Sequence, residues 1–199
     1  IDSPAGPSEV LVIAGEGAKA RLAAMELVVQ AEHAQDSFCC AVCWSRKLAL
    51  EITREVESLA AKASRKDIVR ESLAKGAVFI AAGESEALSF ANKLAVEHVR
   101  VLGGGAERIA ARVTNAGAVF VGDYSPVAAG DYSAGPSHVL PTGGAARFCS
   151  GLSASSFVKE VSVIRLSKGG LAKLAGGAAL LARAEGLDSH AESLGQAVE

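Results

Sequence analysis

What most constrains this chain is an alternation running from Glu9 to Val121, in which short apolar runs are separated by stretches with apolar residues at helical spacing. Glu9 to Ala14 and Phe38 to Trp44 are apolar at nearly every position, the pattern of strands covered on both faces. Between them, Gly17 to about His33 has the periodicity of a helix, and Arg46 to Ala61, rich in Glu and Arg, predicts a second one. The series continues as helix Ile68 to Lys75, strand Ala77 to Ala82, helix Ser85 to Leu94, strand Val99 to Leu102, helix Glu107 to Val113 and strand Ala118 to Val121. Strands joined through helices pair in parallel, so the expected fold class is α/β: an incomplete doubly wound, Rossmann-like, mostly parallel sheet.

Past Val121 the texture changes. Gly122 to Gly144 carries turn residues at nearly every second position, and a loop that long inside a compact domain is usually functional. A strand at Glu160 to Leu166 and helices at Leu171 to Ala184 and Ser189 to Val198 then predict a small helical C-terminal appendage. The organisation read from sequence is an α/β domain over 1–150 and a small domain or tail over 151–199.

Charge excludes some partners. Twenty Lys and Arg against 22 Asp and Glu give a net charge of -2 with no basic run, so a phosphate backbone is not an expected partner. The longest apolar stretch, Leu171 to Ala184, is interrupted by Lys173 and Arg183 and is too short to span a bilayer. The chain starts Ile-Asp-Ser-Pro, without a basic leader or an initiator Met, as a fragment or processed chain would.

Cys40-Ala41-Val42-Cys43 matches a C-x-x-C pattern, but on a strand that spacing sends the two thiols to opposite faces and makes neither a zinc knuckle nor a redox loop. The cysteines therefore predict small apolar core residues in a reducing compartment such as the cytoplasm. Gly15-Glu16-Gly17-Ala18-Lys19-Ala20 satisfies G-x-G-x-x-A at a strand-to-helix turn. Glu16 would set a negative charge beside a pyrophosphate, and no acidic residue closes the next strand to take a ribose hydroxyl, so a plain tight turn is expected there.

The chain has four histidines, His33, His98, His138 and His190, each in a polar, turn-bearing stretch beside carboxylates. Gln30 and His33 are three apart at the end of the first helix, so they leave one face together. Asp131 lies in the Gly-rich loop, where backbone turns can hold a carboxylate for a cation. His190 sits in the first turn of a helix that Asp188 can cap, after Gly186 ends the helix before it. Gln30, His33, Asp131 and His190 form a mixed N/O set suited to Zn²⁺ or a related divalent ion. Glu97-His98 opens a strand, where both can serve one site only at the strand's end.

These residues resemble a known family. Pro4 to Ala14, Gln30-Ala31-Glu32-His33, Glu97-His98, Asn115 to Ala118, Gly130-Asp131-Tyr132 through His138-Val139-Leu140-Pro141-Thr142-Gly143-Gly144, and Glu185 to His190 are similar to histidinol dehydrogenases. The resemblance runs the length of the chain and corresponds to the C-terminal half of the family's chain. It implies NAD-dependent, zinc-dependent oxidation of L-histidinol through the aldehyde to L-histidine, in histidine biosynthesis. It implies zinc ligands Gln30, His33, Asp131 and His190, catalytic Glu97 and His98, and substrate contacts from Ser8, His138 and Glu185 as well as from the metal ligands and His98. It also implies an intertwined homodimer in which the C-terminal tail completes the partner's site. The chain departs from the family pattern at Val96, where Pro is usual, and at Ala34, where Asp is usual; neither is a ligand.

The resemblance leaves the cofactor-binding residues unassigned, because most of the nicotinamide grip belongs to the missing N-terminal half. The 199 residues alone are therefore expected to be inactive. Two other readings fit the sequence: a non-catalytic metal-binding and dimerising fragment, and a paralogous zinc-dependent dehydrogenase for another small polar alcohol.

Overall fold

The computed structural model describes residues 6–196. Its order is β1 (Glu9–Ala14), α1 (Ala20–Ala31), β2 (Phe38–Cys43), α2 (Arg46–Ala60), α3 (Lys66–Leu73), β3 (Ala77–Ile80), α4 (Glu84–Leu94), β4 (His98–Leu102), α5 (Ala106–Ala110), β5 (Ala118–Val121), α6 (Val127–Tyr132), α7 (Lys168–Ala184) and α8 (Asp188–Gln196). The five strands form one sheet in the order β3-β2-β1-β4-β5. Every pairing is parallel, as the strand-helix alternation predicts. The order reverses between β1 and β4, so the topology is the doubly wound one, one strand short of the full six-stranded form.

Alternation along the strands divides the core. Val10, Val12, Cys39, Cys43 and Leu102 face α1, α2 and α3, while Leu11, Ile13, Cys40, Val42, Val99 and Val101 face α4 and α5. Cys40 and Cys43 thus lie on opposite faces, and all three strand cysteines are buried and free. Burial pushes the Cys39 thiol up to about 11, which makes it an inert core group. Ser45 caps α2, accepting from the N–H of Leu48 at 3.3 Å. The Gly15 turn is a structural clasp: Gly15 N–H donates to Leu102 at 2.8 Å and Gly104 N–H to Glu16 at 2.7 Å, which ties the loops after β1 and β4 together.

Some boundaries differ from the sequence reading. Helix α1 starts at Ala20 and stops at Ala31, so neither Gly17 nor His33 belongs to it. The loop expected over 122–144 contains α6. Glu160 to Leu166 forms no strand, pairing with no other strand among the described residues, and its Val161, Val163 and Ile164 are exposed. The chain divides into two compact units, 1–157 and 158–199. The second unit is the helical appendage, with α7 and α8 packed together; the end expected for its last helix at Val198 lies outside the described residues. Among the described residues no helix is long and apolar enough to cross a membrane.

Ile13 lies fully buried on the central strand. Replacing Ile13 with Ala should cost about 2–5 kcal/mol, from lost transfer energy plus the cavity left behind. A urea titration should show a lower midpoint at unchanged slope; an unchanged midpoint would mean that this face of the sheet is not the packed core.

Candidate active site

Of the predicted site residues, Ser8, Glu97, His98 and Asp131 come together at the amino edge of the sheet, where β1 and β4 begin. The parallel ladder between these strands starts at Val10 and His98. One residue earlier, side chains replace the ladder: the Glu9 N–H donates to Glu97 Oε2 at 3.0 Å, and the Glu97 N–H donates to Glu9 Oε2 at 3.1 Å. Each strand's unpaired N–H is thus satisfied by the other's carboxylate. Glu97 Oε2 also accepts from Ser8 Oγ at 2.7 Å. Glu9 Oε1 accepts from Gly143 N–H at 3.1 Å, which brings the Gly-rich loop onto the start of β1.

His98 is the first residue of β4 and is almost wholly buried. Its Nδ1 lies 3.0 Å from the carbonyl oxygen of Glu9. A carbonyl can only accept, so this contact places the ring proton on Nδ1 and leaves the Nε2 lone pair free. Nε2 is buried without a hydrogen-bond partner and lies 3.8 Å from Asp131 Oδ1. Glu97 Oε2 is 3.4 Å from His98 Nδ1. An imidazole with a bare, buried nitrogen beside a hydrogen-bonded carboxylate is an arrangement suited to general acid/base chemistry.

Asp131 reaches His98 from α6, so it is held by a short helix and not by the backbone turns expected of a loop. The approach requires Gly130, where a Cβ would come within 2.6 Å of the Phe120 ring. That ring in turn lies 5.9 Å from the His98 ring.

Gln30 and His33 do not share a helix face, because α1 ends between them. The His33 N–H donates to the Gln30 carbonyl at 3.2 Å as the chain leaves the helix. The turn is then fixed by Ala34 N–H donating to Ser37 Oγ at 3.1 Å. Gln30 is buried with its amide Nε2 unpartnered, whereas His33 is exposed and lines an open cleft of about 440 Å³ together with Ser8. His138 is exposed in the loop that carries Gly143.

Glu185 and His190 belong to the second unit. Glu185 caps the end of α7, and Gly186 follows it in the left-handed conformation that ends the helix, as expected. Asp188 begins α8 as its first residue, which puts His190 in the first turn. Among the described residues no three His, Cys, Asp or Glu side chains stand close enough to hold a metal. The predicted ligand set is divided, with Gln30, His33 and Asp131 in the first unit and His190 in the second.

Sequence reasoning missed Glu9, Glu26, Arg100 and Phe120. The signals were present: a carboxylate opening a buried strand, an Arg in the middle of another, and Glu26 one helical turn before Gln30.

Fold and site together define a Rossmann-like α/β protein with a histidine-carboxylate pair at the amino edge of its sheet. The chain matches the family model described as histidinol dehydrogenase over residues 1–197, and it belongs to that family. It is 46% identical over 194 residues to a histidinol dehydrogenase of Methanothermobacter thermautotrophicus, covering 97% of this chain and 46% of the relative. It is 43% identical to the one from Methanosarcina mazei over 98% of this chain and 45% of the relative. The crystal structure of histidinol dehydrogenase from Elizabethkingia anophelis superposes with a TM-score of 0.91 at 34% identity, covering 99% of this chain and 46% of that one. The chain thus spans about half the length of the curated relatives it matches.

Burial pushes the Glu9 carboxyl above its ordinary 4.5, while the N–H groups of Gly143 and Glu97 pull it down. A raised native value means that the folded state takes up this proton at higher pH than the unfolded chain, so the contribution of Glu9 to stability falls as pH rises through that interval. Glu9→Gln removes the titration. Denaturant titrations should show wild type gaining on Glu9→Gln as pH is lowered from neutrality to 4.5; a gap moving the other way would mean that the carboxylate is not desolvated.

Proposed function

We propose that the complete protein oxidises L-histidinol through the aldehyde to L-histidine with two NAD molecules, and that this chain supplies its acid/base, substrate and metal-binding groups. The observation that carries the reading is His98, whose Nδ1 is committed to the Glu9 carbonyl while its buried Nε2 is unpartnered, within a chain of the histidinol dehydrogenase family.

In the first step His98 Nε2 takes the hydroxyl proton as the carbinol carbon gives its hydride to NAD. In the second, the Glu97 carboxylate takes a proton from the water that adds to the aldehyde carbon, and the resulting hydrate anion gives its hydride to a second NAD, leaving the carboxylic acid, which ionises to the product carboxylate. Ser8 and the Glu9 N–H hold that carboxylate in place through both steps. The donor chemistry of Gln30 through its Oε1, His33 at the cleft, the Asp131 carboxylate beside His98 and His190 of the second unit suits zinc, and these four residues would hold it once brought together, with His190 supplied by a partner copy. Held by those residues, a zinc ion would supply a Lewis-acid template for fixing the reacting carbon. The same reading includes the intertwined homodimer that the family resemblance implies, which would give cover to the exposed Val163, Ile164, Leu180 and Leu181 of the second unit. His138 and Glu185 are assigned to the substrate. The NAD grip is assigned to the part of the family's chain that this one does not span.

Two variants test the division of roles in the complete protein. His33→Ala should lose zinc on dialysis, whereas Glu97→Gln should keep it. Glu97→Gln should lose about 10²–10⁴-fold in aldehyde oxidation and much less in alcohol oxidation. Retention of wild-type zinc by His33→Ala, or equal loss of both oxidations in Glu97→Gln, would contradict the assignment.

A further inference from the structure

Arg100 is the largest fully buried side chain among the described residues, and it sits in the middle of β4. Its Nε lies 3.4 Å from Glu26 Oε1, with both side chains withdrawn from solvent. Its Nε and Nη1 have no hydrogen-bond partner. An under-satisfied buried ion pair is a poor source of stability compared with well-packed apolar groups, so its presence calls for another explanation.

Its neighbours supply one. Gln30 lies one helical turn beyond Glu26 on α1. His98 lies two residues before Arg100 on β4 and so points to the same face. Glu26 Oε2 accepts the N–H of Val127 at 3.3 Å, and Val127 is the first residue of α6, one turn before Asp131. Asp131 is near enough to Glu26 to act on it electrostatically. The segment leading into α6 is pinned elsewhere too, by Lys19 on Asp123 at 2.7 Å and by Ser125 Oγ on the Val121 carbonyl at 2.8 Å. The pair therefore joins the three elements that present Gln30, His98 and Asp131, one step inward from each.

We propose that Glu26 and Arg100 are positioning residues for the active site, holding α1, β4 and α6 in the mutual register that aims Gln30, His98 and Asp131 at one point. The proposal rests on the functional reading above for what those three residues do. It assigns the ion pair a cost in stability that is retained for geometry.

The test compares Glu26→Gln, Arg100→Met and the double variant Glu26→Leu/Arg100→Met in the complete protein, reading the urea midpoint, zinc affinity against a competing chelator, and kcat and KM for histidinol. Each single variant should lower the midpoint, and also zinc affinity and kcat by about 10–100-fold, the range for groups that orient metal ligands. The double variant should recover the midpoint while zinc affinity and kcat stay low. Recovery of all three together would reduce the pair to a structural one and overturn the proposal. Should the double variant fail to fold, Glu26→Gln decides, since it keeps both the volume and an acceptor for Val127; wild-type zinc affinity and kcat in it would sink the idea. Amide exchange over 127–132 separates the two readings. If wild type neither holds zinc nor oxidises histidinol, the functional reading fails by itself. Faster exchange in Glu26→Gln then supports the positioning role, and unchanged exchange overturns it.

Discussion

The site depends on the exchange of carboxylates between Glu9 and Glu97. Parallel strands leave backbone donors unpaired at their amino ends, and here each strand's terminal donor is answered by the other's side chain. The exchange does three things at once. It closes the sheet edge, it holds the Glu97 carboxylate beside Ser8, and it brings the Glu9 carbonyl under His98 Nδ1. Because Glu9 also receives the Gly143 N–H, the loop carrying His138 is drawn to the same edge. A free carboxylate at either position would leave a partly buried backbone N–H without a partner, at a cost of about 1–3 kcal/mol.

Doubly wound sheets usually bind ligands outside the carboxyl ends of their strands, at the point where strand order reverses. In this molecule that point is occupied by the clasp between the Gly15–Gly17 and Gly103–Gly105 turns, where a Cβ on Gly103 would come within 2.7 Å of the Glu16 carbonyl. Ser8, Gln30, Glu97, His98 and Asp131 sit at the opposite edge. They can meet there because α1 and α6 both run toward it, α1 ending at Gln30 and Ala31 and α6 passing from Val127 beside Glu26 to Asp131 beside His98. Strand β4 serves both levels, with His98 at the edge and Arg100 one step inside.

Much of this was legible in the sequence. Continuous apolar runs and intervening helical periodicity define a parallel α/β sheet, and five strands fall where those runs lie. Glu97-His98 was readable as the opening of a strand, and Gly186 as a helix end. What escaped is tertiary in origin. The end of α1 before His33 is set by the Ala34 to Ser37 turn, which no periodicity announces. Helix α6 hides in Gly- and Ala-rich sequence because its N-terminus is satisfied by Glu26, about a hundred residues away in sequence. Glu160 to Leu166 alternates like a strand but pairs with no strand among the described residues. The roles of Glu9 and Arg100 needed the third dimension, although a charged residue within a buried run marks a position that must be explained.

The account stands on His98 carrying its ring proton on Nδ1, with Nε2 open toward the site. Long-range ¹H–¹⁵N NMR of the histidine rings in the complete protein measures this directly, with the His98 signals identified by their absence in His98→Gln. At a pH where the ring is neutral, the account predicts a protonated Nδ1, a bare Nε2 and an Nε2 resonance that moves on addition of histidinol. A proton on Nε2, or an Nε2 resonance indifferent to histidinol, would contradict it.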